Sequence, residues 1–217
     1  MARSKLTKFK EIAESNIVIE PGKPIFETIR GNWNEEFFNN NHDLVVEIGC
    51  GKGDYTIGMA NLFPNKNFVG IDIKGSRLWK GSRLAQEQGL TNVAFLRNFI
   101  EQISQQFSPG EVSELWITFP DPRPKKGDEK KRLTSARFLD IYQSIVKPEG
   151  LIHFKTDDLD LFQYTLELLQ KREAKNLRYT FNLYESDLQH HTLGIQTTYE
   201  KRFLAEGQTI KYLQFSR

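Results

Sequence analysis

A chain of 217 residues is long enough to bury a full core, and its single cysteine, Cys50, excludes an intrachain disulfide and fits a reducing compartment. No apolar run reaches the length of a membrane span and the first residues hold no apolar signal core, so the expectation is a cytoplasmic protein. Thirty Lys and Arg against 28 Asp and Glu leave a net charge of +2, which excludes any argument for a polyanion partner from bulk charge alone.

The chain opens with Arg3, Lys5, Lys8 and Lys10 before its first acid, Glu11. Two readings apply: a solvated, partly disordered tail, or a basic arm that orders on a polyanion. Pro21, Gly22 and Pro24 then punctuate an irregular stretch, expected to cover a sheet edge or the mouth of a ligand site. Trp33, Phe37 and Phe38, with acids between them, suit a short amphipathic helix packed on the body. Residues 1–40 are therefore read as a basic extension with a short helix, and 41–217 as the domain proper.

From Asp43 onward the pattern alternates. Strands are predicted over 44–48, 67–73, 93–97, 115–119 and 150–155, and helices over 53–62, 75–88, 99–106, 134–146 and 158–172. Strands separated by helical stretches of this length imply βαβ units, hence an α/β doubly wound sheet, mostly parallel and covered on both faces. Two further strands, 178–184 and 210–216, have no helix of comparable length between them and are expected to pair antiparallel at the C-terminal end.

In such a sheet ligands sit beyond the carboxyl ends of the strands. The first strand ends at Glu47, followed by Gly49, Gly51 and Gly53, where glycine allows positive φ and close approach of backbone to a ligand. The second ends at Asp72, 19 residues past Gly53, where a carboxylate can accept from a ribose diol; a helix N-cap is the alternative reading. The Gly-x-Gly-x-Gly spacing is not the Gly-x-Gly-x-x-Gly of a dinucleotide site. With its two acids it looks like the cofactor loop of S-adenosylmethionine-dependent methyltransferases. The third strand ends near Asn98, whose amide can donate and accept at an adenine edge or serve a turn. The fourth ends at Asp121, flanked by Pro120 and Pro122 and so held extended for positioning a substrate. The fifth ends at Lys155-Thr156-Asp157-Asp158.

Directly after Asp121 the segment 123–132 places Arg123, Lys125, Lys126, Lys130, Lys131 and Arg132 within ten residues, a composition suited to tracking a phosphate backbone. No metal site is expected, because His42, His153, His190 and His191 show no ligand spacing with Cys50. His153 reads as a core histidine, and His190 and His191 cannot share a face if extended. Cys50 has no paired base and is read as a small packing residue. By pattern alone, 196–203 is an amphipathic surface turn.

The run Phe119-Pro120-Asp121-Pro122-Arg123-Pro124-Lys125, taken with Lys131-Arg132-Leu133-Thr134, resembles the tRNA (guanine-N7)-methyltransferases. The resemblance extends over Glu47-Ile48-Gly49-Cys50-Gly51, Lys155-Thr156-Asp157 and Thr197-x-x-Glu200, from about residue 40 to the C-terminus. It implies a class I, Rossmann-like methyltransferase fold, S-adenosylmethionine as methyl donor, and methylation at N7 of a variable-loop guanosine in tRNA. It further implies that Glu47, Asp72, Asn98 and Asp121 line the cofactor site, with Asp121 the catalytic acid, and that Lys125, Asp157, Thr197 and Glu200 contact the substrate. Arg123 stands where the family often has Trp, and Asn98 where it often has Asp. Asp121 can hold the guanine edge or organise the methionine end of the cofactor; both roles stay open. So do a methyltransferase of small molecules or proteins, a nicotinamide-dependent oxidoreductase, a non-catalytic tRNA binder, and a monomeric or homodimeric state.

Overall fold

A computed structural model describes residues 4–217 and places eight strands in one sheet. The parallel body consists of β1 (Val18–Ile19), β2 (Asp43–Ile48), β3 (Lys66–Ile71), β4 (Val93–Leu96), β5 (Val112–Thr118) and β6 (Val146–Thr156). Two further strands, β7 (Lys175–Thr180) and β8 (Lys211–Ser216), complete the order β1-β4-β3-β2-β5-β6-β8-β7. β8 runs antiparallel to both β6 and β7. The doubly wound, mostly parallel sheet with an antiparallel C-terminal pair is as expected. Adjacent residues of one strand feed opposite cores: Val46 and Ile48 join one cluster, while Val45 joins the other.

Among the described residues seven α-helices accompany the sheet: α1 (Lys5–Glu14), α2 (Pro24–Thr28), α3 (Asp54–Leu62), α4 (Gly75–Glu87), α5 (Ala136–Ile145), α6 (Leu159–Lys171) and α7 (Thr198–Ala205). Helices α5 and α6 supply Phe138, Leu139, Phe162 and Leu166 to one core, and α3 and α4 supply Tyr55, Met59, Leu78 and Ala85 to the other. Burial on both faces explains why β2 to β5 read as near-continuous apolar runs.

Several expectations are corrected. Arg3 lies outside the described residues, but from Ser4 onward the basic segment is helix rather than disordered tail. Ser4 Oγ accepts from the Thr7 amide at 3.1 Å, Ile12 is fully buried, and Glu11 Oε2 accepts from Trp79 Nε1 at 2.6 Å. The ammonium of Lys23 then closes the exit of α1 by donating to the carbonyls of Ile12, Ser15 and Val18 at 3.0, 2.6 and 2.6 Å. Just before the irregular stretch the chain itself forms the sheet edge, because β1 pairs with β4 through Val18↔Phe95 and Ile19↔Leu96, and Pro24 then opens α2. The segment 99–106 is a 3-10 helix (Ile100–Gln105), and Trp33–Phe38 is one turn of π-helix ending in left-handed Asn39. Between β7 and β8, where no comparable helix was expected, lie two 3-10 turns (Leu183–Glu185 and Asp187–Thr192) and α7. His190 and His191 stand on the second of these turns, which brings their rings to 4.1 Å. His153 is a core histidine: it stacks on Trp116 at 3.9 Å, shares a 2.8 Å hydrogen bond with the Tyr212 hydroxyl, and burial drives its pKa down to about 4.

One packing detail fixes the loop after β2. Gly81 of α4 lies so close to that loop that an added Cβ would sit 2.6 Å from the Lys52 carbonyl oxygen. Alanine favours a helix by about 1 kcal/mol, but overpacking against backbone costs about 1–3 kcal/mol. Gly81→Ala is therefore expected to lower the melting temperature by about 2–4 °C and to displace the loop. Thermal denaturation of the variant checks this, and an unchanged transition would mean the loop yields freely.

Candidate active site

The site is built on strand ends. Glu47, the penultimate residue of β2, is almost fully buried, yet both carboxylate oxygens are engaged. Oε1 accepts from the Thr118 hydroxyl at 2.6 Å, and Oε2 accepts from the Thr56 amide at 2.9 Å and from the Thr56 hydroxyl. Desolvation outweighs these donors and raises the Glu47 pKa from 4.5 to about 7. The loop that follows takes left-handed φ at Gly49 (70°) and Gly51 (58°). A Cβ on Gly51 would meet nothing within 4 Å, so this backbone presents an open face to the cleft. Cys50, between them, is buried, and its thiol pKa is pushed up by that burial.

Asp72, just past β3, holds the loop from the side. Its Oδ2 accepts from the Gly51 amide at 3.1 Å, its Oδ1 accepts from the Lys74 amide at 2.7 Å, and Arg77 lies 3.7 Å away. The helix N-cap position belongs to Lys74. Asn98, past β4, donates to Gln106 Oε1 at 2.5 Å and accepts from the Phe99 amide at 2.8 Å. One N–H and one lone pair of its amide remain for a ligand.

Beyond β5 the chain turns sharply. Phe119 (φ 48°) and Arg123 (φ 49°) are non-glycine residues in left-handed conformation, each costing roughly 1–2 kcal/mol, and they bracket Pro120-Asp121-Pro122. Asp121 is exposed, with Oδ2 3.2 Å from Arg123 Nε and Oδ1 accepting from the Arg123 amide at 3.2 Å.

Two cavities open over this edge, of about 290 and 430 Å³, and both are lined by Gly49, Arg77, Phe119, Pro120 and Asp121. The smaller adds Glu47, Gly51, Asp157, Thr197 and Tyr199. The larger adds Asp72, Asn98, Phe99, Arg123 and Lys131. Lys125, Lys126 and Lys130 line neither and stand exposed along the 3-10 segment Lys126–Lys131 and its start. Arg132 packs its guanidinium over the Tyr164 ring at 4.5 Å.

The far wall of the smaller cavity is the start of α7. Here 196–203 is no surface turn. Thr197 Oγ1 accepts from the Glu200 amide at 3.1 Å in a capping box, and Thr198 donates its amide and hydroxyl to Asp54 Oδ2 at 2.8 and 2.5 Å. Glu200 is fully buried, 2.8 Å from the equally buried Lys155 ammonium, and also accepts from the Tyr184 hydroxyl at 2.8 Å. It therefore stands behind the wall. Burial lowers the Lys155 pKa, with Glu200 opposing, and burial raises that of Asp157. The Thr197-x-x-Glu200 spacing could have announced the cap, whereas the parts played by Thr118, Asp54 and Arg77 depend on contacts distant in sequence. Among the described residues no cluster of His, Cys, Asp and Glu is arranged to hold a metal, and no helix is long and apolar enough to cross a membrane.

Glu47 binds more protons folded than unfolded between its two pKa values, so its contribution to stability is full below about pH 4.5 and is lost as pH rises through about 7. The loss is on the order of 3 kcal/mol. Denaturant titrations between pH 5 and 8 should show a decline that Glu47→Gln flattens; parallel profiles would place the titration elsewhere.

A family model described as "Putative methyltransferase" matches residues 41–213. The tRNA (guanine-N(7)-)-methyltransferase of Cytophaga hutchinsonii is 46% identical over 217 residues, 99% of this chain and 98% of that protein. Its counterpart from Bacteroides thetaiotaomicron is 43% identical, over 99% of this chain and 86% of that one. Among solved structures, the 16S rRNA methyltransferase KamB superposes with a TM-score of 0.61 at 17% identity, covering 88% of this chain and 91% of its own, a likeness of fold. By family model and by full-length identity alike, the chain belongs to the tRNA (guanine-N7)-methyltransferase family.

Proposed function

We propose that this protein transfers the methyl group of S-adenosylmethionine to N7 of a guanosine in the variable loop of tRNA, in the cytoplasm, with 41–217 as the catalytic unit and 1–40 as its basic N-terminal extension. The observation that carries the reading is Asp121, the one carboxylate among the residues that line both cavities, which supports a donor in one meeting an acceptor in the other beside it. The donor set fits the cofactor: open backbone at Gly51, an acceptor-only carboxylate at Asp72 for ribose hydroxyls, and a half-free amide at Asn98 for adenine. Bound S-adenosylmethionine supplies an electrophilic methyl carbon, open to attack by N7 as the carbon–sulfur pair returns to sulfur.

Guanine N7 carries an in-plane lone pair and no proton, so no side chain has to remove one. The protein's task is alignment, which contributes roughly 7–11 kcal/mol in favourable cases. Asp121 and Asp157 offer acceptors to the N1–H and N2–H₂ edge of guanine, a pattern adenine cannot satisfy. The contact of Asp121 with Arg123 is exposed, so exchanging it for a base edge costs little. Thr197 shapes the cavity wall, and Glu200 acts on substrate through it as a positioning residue. Lys125, Lys126, Lys130, Lys131, Arg123 and Arg132 lie on the segment leaving this edge, where they meet the phosphates flanking the target.

The direct test is labelled methyl transfer to unmodified tRNA followed by nucleoside analysis. The expected product is 7-methylguanosine; none, despite binding of both ligands, would overturn the reading. Asp121→Asn should cut turnover roughly a hundredfold or more. Unchanged cofactor affinity in that variant assigns Asp121 to the guanine, and a parallel loss assigns it to the methionine end. Neutralising Lys125, Lys126, Lys130 and Lys131 together should weaken tRNA binding and flatten its salt dependence by roughly one logarithmic unit per lost phosphate contact. An unchanged salt slope would separate these lysines from the RNA.

A further inference from the structure

The turn 197–200 is immobilised at every position but one. Thr197 caps α7, Thr198 is tied twice to Asp54, and Glu200 is locked to Lys155 and Tyr184. Tyr199 stands among them with 48% of its surface exposed, lining the smaller cavity, and with no hydrogen-bond or ring partner among the described residues. Its backbone is thus held by three neighbours while its ring is left free. The other aromatic rings of that cavity, Phe119 and Phe203, already face each other at 5.9 Å. Asp121 and Asp157 can read the edge of a base but offer nothing to its face, and the one arginine of the lining, Arg77, is turned toward Asp72 at 3.7 Å. Unstacking a base from RNA removes its neighbours above and below, and proteins replace them with aromatic rings.

We propose that Tyr199 is the stacking platform for the target guanine: its ring takes one face of the extruded base while the carboxylates take its edge. This rests on the reaction proposed above. A platform that acts through its ring predicts a specific pattern among substitutions. Tyr199→Ala should lower kcat/KM for tRNA roughly tenfold or more, the range of base–aromatic stacking. Its S-adenosylmethionine affinity and melting temperature should stay at wild-type values. Tyr199→Phe and Tyr199→Trp should retain most of the activity, since the hydroxyl has no partner to lose. Wild-type kcat/KM in the alanine variant would overturn the assignment. So would a phenylalanine variant as impaired as alanine, or a loss that tracks a lower melting temperature. The wild-type protein in the same assay keeps the two claims apart: failure to form 7-methylguanosine there counts against the reaction, and a loss confined to Tyr199→Ala counts for the platform.

Discussion

A lysine ammonium and a glutamate carboxylate, both cut off from solvent, tie the late part of the chain to the sheet. Removing two such ions from water costs several kcal/mol each, recovered only where geometry is close and the remaining polar positions are filled. Lys155 and Glu200 meet at 2.8 Å, and Tyr184 occupies a carboxylate oxygen as well. Lys155 comes from β6 and Glu200 from the first turn of α7, so the pair fixes where that turn sits. The cavity wall carrying Thr197 and Tyr199 owes its position to this contact, helped by Asp54 at the start of α3. Because Asp54 directly follows the glycine loop, the two walls of the smaller cavity share one support.

The glycine loop is fixed in a complementary way. Glu47 anchors its approach from below through Thr56 and Thr118, Asp72 grips the Gly51 amide from the side, and Gly81 admits the loop against α4. Each anchor comes from a different element, so the open backbone of Gly51 faces the cleft from a fixed position. Polar groups prepaid in this manner reorganise little on binding, the condition under which electrostatic positioning is most effective.

The central sheet was legible because burial on both faces imposes long apolar runs, and because a glycine loop between two acids has few other uses. Strand β1 was not, since two residues set no periodicity. The N-terminal helix was hidden by its charges, although Phe9 and Ile12 lie three apart, as one helical face requires. The start of α7 has a local signal in its Thr197-x-x-Glu200 cap, but the burial of Glu200 has none, because it depends on a lysine 45 residues earlier. Asp121 was recognised by its flanking prolines, while the left-handed Phe119 and Arg123 that bend its turn carry no signature in their residue types.

The strand order has a consequence for how the molecule assembles. β8 lies between β6 and β7, so β7, made earlier, has no sheet neighbour until β8 inserts beside it. The segment between them carries the whole of α7, and its anchoring lysine waits on a strand that is already in place. During vectorial synthesis the parallel strands β2 to β6, with the glycine loop, can therefore collapse first. The wall formed by the start of α7 is added late, and a nascent chain arrested before α7 would hold the glycine-loop wall of the cleft without the one that faces it.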